Sequence, residues 1–426
     1  MNPEEQAELN VSTRNLIHFK GFNGYRVNNE TPVVREEPVK PKKQGLFSKL
    51  KGLFVKRKSM EIESPYDFRH NMHIYVDVNS PCGLSGLPDE WRLLLESSNI
   101  SKDDVINNGE AVINALAYQF KPEVIPTAQD MLDMDAMLRD KSFIREEDPK
   151  EYYRGLKEVL GEGGYSTVYK ATNIKTEEVV AVKVTSLSEL LNIRQELALQ
   201  KTCHHSNIMT VGDCFNWKDK LWIVMEYMEK GSLFGIVGKD VHFEEKYIAY
   251  VCKGILSALS SMHHDNRIHR DIKSDNILIN GKGEVKLADF GFAVRLASDK
   301  ERRKSVVGTP FWMAPELIQG GGYNSSVDIW SLGITALEMA DGEPPHYHDA
   351  PLKALLLIHT SPSPTVLEPE KWSDDFKDYL ARSLDTNPEK RATANELLQH
   401  PFLKQACNAE EFLLFVNDIL AKRKNQ

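Results

Sequence analysis

At Tyr152 the texture of the chain changes, and the change limits what it can fold into. Short Val- and Gly-rich stretches such as LGEGGYSTVYKA and VVAVKV come first, with the composition and turn residues of strands. Long amphipathic stretches follow, EKYIAYVCKGILSALSSMHH from Glu245 among them, with apolar residues at helical spacing. A strand-rich part followed by a helix-rich part predicts two lobes, with the cleft between them as the place for a ligand.

A length of 426 residues allows two or three folding units, and 41% hydrophobic with 27% charged residues is globular composition. No run approaches the roughly eighteen apolar residues of a membrane span, and the opening MNPEEQAELN lacks the basic-then-apolar pattern of a signal. The expectation is a cytoplasmic protein, recruited at most to the plasma membrane or the cytoskeleton. Cys82, Cys203, Cys214, Cys252 and Cys407 are scattered and never form a CxxC pair. They read as reduced thiols rather than a disulfide framework or a zinc site.

Residues 1–60 have little periodicity and read as mostly disordered. The net charge of -9 conceals a basic stretch over residues 40–58, KPKKQGLFSKLKGLFVKRK, with eight Lys or Arg and no acid. Its Leu46, Phe47, Leu50, Leu53 and Phe54 fall near helical spacing. Two readings stay open: a solvated tether, or a segment that lies on anionic lipid. A nucleic-acid partner is not expected, because the rest of the chain is acidic and carries no reading module. Residues 61–120 differ in character, with Trp91-Arg-Leu-Leu-Leu and the run EAVINALAYQF. Val112, Ala115, Leu116 and Gln119 fall on one helical face of that run, with Ile113 and Tyr118 beside it. Such a helix is too short to be stable alone, so it needs a partner surface. Residues 121–150 read as an acidic linker, 151–404 as the large domain and 405–426 as a helical tail.

Gly161, Gly163 and Gly164 stand between two expected strands, where backbone amides can approach an anion closely. Lys183 sits inside the apolar strand VVAVKV, and the next helical stretch carries Glu196. An ion pair between them would remove the penalty of a buried lone charge and aim the ammonium at phosphate oxygens. Further on, HRDIKSDN crowds Asp271, Lys273 and Asn276 together, and VKLADFG ends an apolar run on Asp289. A carboxylate to accept a proton, a cation to neutralise charge, and two oxygen donors of the kind Mg²⁺ prefers are what phosphoryl transfer requires.

GEGGYSTVYKA, AVKV, HRDIKSDN, DFG and the APE of Ala314–Glu316 occur in the order of a eukaryotic protein kinase catalytic domain, which the stretch from Tyr153 to Leu403 resembles. IKSDN and GTPFWMAPE resemble the serine/threonine branch. MADGEPPHYHDAPLKALLLIHT and SLDTNPEKRATANELLQHPFLK resemble the PAK branch of the sterile-20-like kinases, and Phe292 resembles the serine-preferring members. The resemblance implies an α+β bilobal fold, with a small β-rich N-lobe and a larger helical C-lobe, using ATP and Mg²⁺. It makes Asp271 the catalytic base, helped by Lys273, with Lys183 and Glu196 positioning phosphates and Asn276 and Asp289 holding metal. Leu160, Gly161, Glu162, Gly163, Gly164, Tyr165, Ser166, Thr167 and Val168 would cover the nucleotide. Ala181, Met225, the hinge from Glu226 through Tyr227 to Met228, and Leu278 would enclose the adenine. Ser305 would be the activating phosphosite, gripped by Arg270. Phe290 and Gly291 would let the loop switch, Thr309 would touch Asp271 and Lys273, and Glu316 would pair with Arg391. Asp275 and Glu343 would meet a basic residue of the substrate. Ser166 stands where the family carries its last loop glycine, and Ser166→Gly is expected to leave ATP affinity nearly unchanged.

IESPYDFRHNMHIYVD resembles the CRIB motif that binds a GTP-loaded Rho-family GTPase, with Ile62, Pro65, Phe68, His70 and His73 at the matching positions. Glu63 and Tyr75 depart from it, at positions where serine and glycine are usual. GLPDEWRLLLESSNISKDD resembles the overlapping autoinhibitory region, although VINNGE lacks a lysine the family often places there, which leaves Ile106 or backbone to obstruct the cleft. The implied protein is a Rac-like-GTPase-activated kinase, autoinhibited in a form that includes a homodimer among the family's options, signalling to actin, motility or polarity. Two other readings are a constitutively active kinase with weak autoinhibition and a GTPase-binding scaffold without catalysis.

Overall fold

The computed structural model describes residues 74–119, 144–162, 166–187, 190–296, 302, 303, 305–320 and 322–424. The chain divides into Met1–Tyr75 and Val76–Gln426, and the elements below belong to the second unit. Three helices come first: α1 (Asp89–Ser97), α2 (Lys102–Asn107) and α3 (Gly109–Gln119). Ser101 starts α2 through a capping box, its Oγ accepting from the Asp104 amide at 3.1 Å while the Asp104 carboxylate accepts from the Ser101 amide at 3.0 Å.

The small lobe is an antiparallel sheet of β1 (Tyr153–Glu162), β2 (Ser166–Asn173), β3 (Val179–Ser186), β4 (Val211–Trp217) and β5 (Lys220–Glu226), in the order β1-β2-β3-β5-β4. β3 is central, which explains its VVAVKV sequence: Lys183 lies between Val168 on β2 and Ile223 on β5. Helix α4 (Leu190–Lys201) packs on one face through Ile193 and Leu197, an i,i+4 pair set against Val211, Cys214 and Ile223. The other cluster holds Tyr153, Val182, Val184 and Phe215.

In the large lobe a three-stranded sheet, β6 (Gly231–Ser232), β8 (Ile277–Ile279) and β9 (Val285–Leu287), and the pair β7 (Arg267–Ile268) with β10 (Val294–Arg295) face the cleft side of α5 (Glu245–His264). Below them lie α6 (Pro315–Gln319), α7 (Ser326–Asp341), α8 (Pro351–Thr360), α9 (Asp374–Ser383), α10 (Ala394–Leu398) and α11 (Ala409–Lys424). Every residue of α7 from Val327 to Met339 is buried. A helix covered all round belongs in the middle of a core, and α5 and α9 pack on it from two sides. It stops at Gly342, whose φ of 85° is the left-handed cap that glycine allows. No helix among the described residues is long and apolar enough to cross a membrane.

The partner surface that α3 needs is provided by α6 and α8, while α1 and α2 cover it from the other side. Enclosure on both sides explains why Ile113 is as buried as Val112, Ala115 and Leu116, so the apolar stripe is wider than one helical face. Deeper in the lobe the Arg391 guanidinium donates to both Glu316 oxygens, at 2.6 and 2.9 Å, and to the Asp385 and Ser326 carbonyls. Removing one member strands a buried charge. Arg391→Ala should lower unfolding free energy by about 3–5 kcal/mol in a urea titration, and a loss under 1 kcal/mol would mean that the pair is solvated.

Candidate active site

The loop between β7 and β8 is held from below. Asp328, on the first turn of α7, accepts the backbone N–H of His269 at 3.0 Å and of Arg270 at 2.7 Å, and takes a third bond from His263 Nε2 at 2.8 Å. Desolvation works against its charge, but the bonds from His263 and from the His269 backbone outweigh it and hold the carboxyl below the usual range. This anchoring accommodates Arg270 at φ 70°, a left-handed conformation unusual for a side chain of its size. His269 is fully buried and desolvation lowers its pKa. Nδ1 accepts from the Asp271 amide at 3.4 Å and Nε2 donates to the Ala288 carbonyl at 3.1 Å, as a neutral ring would.

With the loop so fixed, four polar side chains close on one another. Asp271 Oδ1 accepts from Thr309 Oγ1 at 2.6 Å, and Oδ2 accepts from Asn276 Nδ2 at 2.9 Å and faces Lys273 Nζ at 3.0 Å. Lys273 donates to Thr309 at 2.7 Å, and Asn276 donates a second bond to the Asp271 carbonyl at 2.8 Å. The Asn276 amide nitrogen is therefore committed, and its oxygen is the end left to act as a ligand. Asp289, at φ 60°, is exposed and accepts the Gly291 amide at 3.2 Å, while Phe290 beside it is buried edge-on against His269. No cluster of three or more His, Cys, Asp or Glu among the described residues forms a metal cage. One carboxylate and one amide oxygen fit Mg²⁺, which keeps most of its shell for water and phosphate.

Across the cleft, Lys183 Nζ lies 3.5 Å from Glu196 Oε1. Burial raises the Glu196 pKa, the Lys183 ammonium opposes the shift, and Asp289 adds to it. A cavity of about 430 Å³ is lined by Leu160, Gly161, Val168, Ala181, Met225, Glu226, Met228 and Leu278 among others, and by neither member of this pair. Those eight were expected from the sequence. Met209, Glu229 and Gly231 also line it and were missed, because chain position rather than residue type brings them there. Glu162 and Thr167 are register partners on β1 and β2, and neither they nor Ser166 line the cavity. Gly163, Gly164, Tyr165, the CRIB positions Ile62, Pro65, Phe68, His70 and His73, and the basic stretch 40–58 lie outside the described residues.

Arg270 reaches towards the loop that precedes Thr309. Its Nε donates to the Phe292 carbonyl at 2.6 Å, and Nη1 donates to Ser305 Oγ and to Tyr323 Oη, both at 2.8 Å. Nη2 is buried with no acceptor. A buried guanidinium with an unmet donor beside a serine hydroxyl is a socket in which added phosphate oxygens would be satisfied. The two carboxylates expected to meet a basic substrate residue differ in their surroundings. Asp275 is exposed, whereas Glu343 is already engaged by Lys239 Nζ at 2.7 Å and His348 Nε2 at 3.0 Å. A further carboxylate, Glu338 on α7, is buried and was not anticipated: it accepts from Ser274 Oγ and from Trp312 Nε1, and it lies close enough to Asp275 to feel its charge. Buried among apolar residues of a helix, it carries no sequence signal of its own.

The helix α3 ends on this site, where Tyr118 Oη donates to the Gly308 carbonyl at 2.7 Å. Burial pushes the Tyr118 hydroxyl up to about 12, with the Asp271 carboxylate adding to the shift.

Residues 154–403 match the protein kinase domain and residues 61–119 match the P21-Rho-binding domain. The chain is 41% identical to serine/threonine-protein kinase pakC of Dictyostelium discoideum, over 82% of this chain and 75% of the relative. It is 39% identical to pakA and 32% identical to pakB of the same organism, over 86% and 85% of this chain. The chain belongs to the PAK family of serine/threonine protein kinases. The matches span only 31% of pakA and 58% of pakB, so those two relatives extend well beyond what is shared. The bilobal fold, with its β-rich small lobe and helical large lobe, is the fold expected from the sequence.

Glu338 gives the site a proton-linked stability. Burial pushes its carboxyl up to about 7 from an ordinary 4.5, so between those values the folded chain holds a proton that the unfolded chain has lost. Its contribution is complete below 4.5 and is lost as pH rises through 7. Glu338→Gln should gain on the parent protein by about 3 kcal/mol across that window in urea unfolding, and parallel pH curves for the two proteins would exclude Glu338 as the titrating group.

Proposed function

We propose that the chain is a Mg-ATP-dependent serine/threonine protein kinase, restrained by residues 76–119 and released when a GTP-bound, Rac-like Rho-family GTPase engages residues 61–119. The observation that carries the catalytic part is the closed set of bonds among Asp271, Lys273, Asn276 and Thr309, opposite the Lys183–Glu196 pair. Asp271 is held with a carboxylate ready to orient a substrate hydroxyl and take its proton as the oxygen attacks the γ-phosphorus. The bond from that phosphorus to the β–γ bridging oxygen breaks, ADP leaves, and Lys273 balances charge on the transferred group. Lys183, steadied by Glu196, fixes the phosphates behind it. Asp289 and Asn276 would hold Mg²⁺, which when bound neutralises the triphosphate. The adenine would sit in the cavity between Ala181 and Leu278, against the hinge at Glu226–Met228.

Ser305 is the proposed activating phosphosite, because a phosphate there would give the buried Arg270 Nη2 the acceptor it lacks. Asp275 and Glu343 favour substrates with a basic residue before the phosphorylated serine, although a substrate arginine at Glu343 would have to displace Lys239. Residues 40–58 add attraction to anionic lipid, where lipid-anchored GTPases reside. Output to actin organisation, motility or polarity rests on the family alone.

Restraint is supported by α3, which covers α6 and α8 and bonds to Gly308 one residue before Thr309. The Lys183–Glu196 pair is intact while α3 is docked, which favours a second reading in which restraint blocks substrate access without dismantling the catalytic groups, and is correspondingly weak. Phosphorylation of a basic serine peptide separates these readings. The full chain should be slow, accelerated by GTP-loaded GTPase and silenced about a hundredfold or more by Asp271→Asn. Equal rates for Asp271→Asn and the parent would leave a scaffold, and equal rates with and without GTPase would leave a constitutive kinase. Ser305→Ala should abolish most of the stimulated rate. Tyr118→Phe, which deletes one buried hydrogen bond worth about 1 kcal/mol, should raise the unstimulated rate up to about fivefold and leave the stimulated rate alone.

A further inference from the structure

We infer that Arg145, which lies before the residues that match the kinase domain, is a positioning residue for α4 and, through α4, for the Lys183–Glu196 pair; the inference rests on the kinase reading above. β4 is an edge strand, and an exposed edge offers unpaired backbone groups. Arg145 takes them up. Its amide donates to the Cys214 carbonyl at 2.9 Å and its carbonyl accepts from the Asn216 amide at 2.8 Å, a parallel bridge opposite Phe215.

The side chain then fastens the rung. The guanidinium carbon stands 4.5 Å from the centre of the Phe215 ring and 4.7 Å from that of Tyr152, within cation–π range of both. Its Nη2 lies 2.6 Å from Asp213 Oδ2, an oxygen that also accepts from Tyr153 Oη at 2.7 Å. Planar charge stacked on rings and pointed at a carboxylate is a contact that arginine makes and lysine does not.

Fastening Arg145 fixes its neighbour. Successive residues of an extended segment face opposite sides of a sheet. Arg145 lies over Phe215, in the cluster with Tyr153 and Val182, whereas Ile144 packs against the other cluster, which contains Ile193 and Leu197 of α4. Glu196 precedes Leu197 and follows Ile193 by three residues, so its carboxylate moves with the face that Ile144 supports. At 3.5 Å the Glu196 contact with Lys183 is at the long end of a direct bond, and a small rotation of α4 would open it.

The experiment uses the full chain. Arg145→Ala should speed hydrogen exchange of the α4 amides several-fold while those of α5 stay unchanged, and it should lower kcat for a serine peptide about fivefold. Arg145→Lys keeps the charge near Asp213 and should restore only part of the loss. The effect on kcat should vanish when Glu196→Gln is already present, because the two changes act on one ion pair. Unchanged α4 exchange in Arg145→Ala would overturn the inference, as would the same fivefold loss in both backgrounds, the mark of a general brace. A parent chain with no phosphotransfer at all would sink the kinase reading instead, and the exchange measurement would still decide the role of Arg145.

Discussion

The carboxylate of Asp328 is the point from which the geometry of the candidate site hangs. It is enclosed by protein, carries charge, and is repaid by three donors, two of which are backbone groups of the loop that contains Asp271. A backbone amide cannot swing away as a side chain can, so His269 and Arg270 are fixed to the central helix and their side chains leave in opposite directions. His269 goes up to the Ala288 carbonyl and the Phe290 ring, and Arg270 goes out to Ser305 and Tyr323. One buried charge thus bears on both the strand end at Asp289 and the loop that carries Ser305. Without it, Arg270 would have no reason to hold a left-handed backbone.

The small lobe is organised by a different economy. Its groups are less buried, its decisive ion pair is long, and its helix α4 is held by apolar contacts on one face. The large lobe therefore supplies groups whose relative positions are locked, while the small lobe supplies a lysine whose position can be tuned. This division would suit the proposed regulated kinase, because small free energies would move the tunable part and leave the locked part intact. Arg145 on the sheet edge and α3 on the large lobe act on separate sides of that division.

The residues proposed for chemistry stood out in the sequence because phosphoryl transfer would demand particular types at short range. Asp271, Lys273 and Asn276 fall within six positions, and Asp289 closes an apolar strand. The two lobes followed from the switch of periodicity after Tyr152, and α3 announced its need for a partner through its short apolar face. Which surface would meet it was not legible, since the bond from Tyr118 to Gly308 joins positions 190 apart. Asp328 and Glu338 read as polar interruptions of an apolar helix, and only three dimensions reveal that one anchors a loop and the other holds a proton. Arg145 was assigned to an acidic linker because charge composition says nothing about which strand has a free edge.

The Tyr118 bond bears on how the proposed restraint would be both effective and reversible. A hydroxyl that donates to a buried carbonyl contributes little net free energy, yet leaving that carbonyl unpaired is expensive only while α3 excludes water. Once the apolar residues Val112, Ala115 and Leu116 separate from the large lobe, water replaces Tyr118 at Gly308 at no further penalty. The hydrogen bond therefore sets where α3 seats, and the apolar contacts set how firmly. On the proposed reading, a partner that engages the chain ahead of α3 would need only to compete with that apolar contact, and the polar bond next to Thr309 would open as a consequence rather than as a separate step.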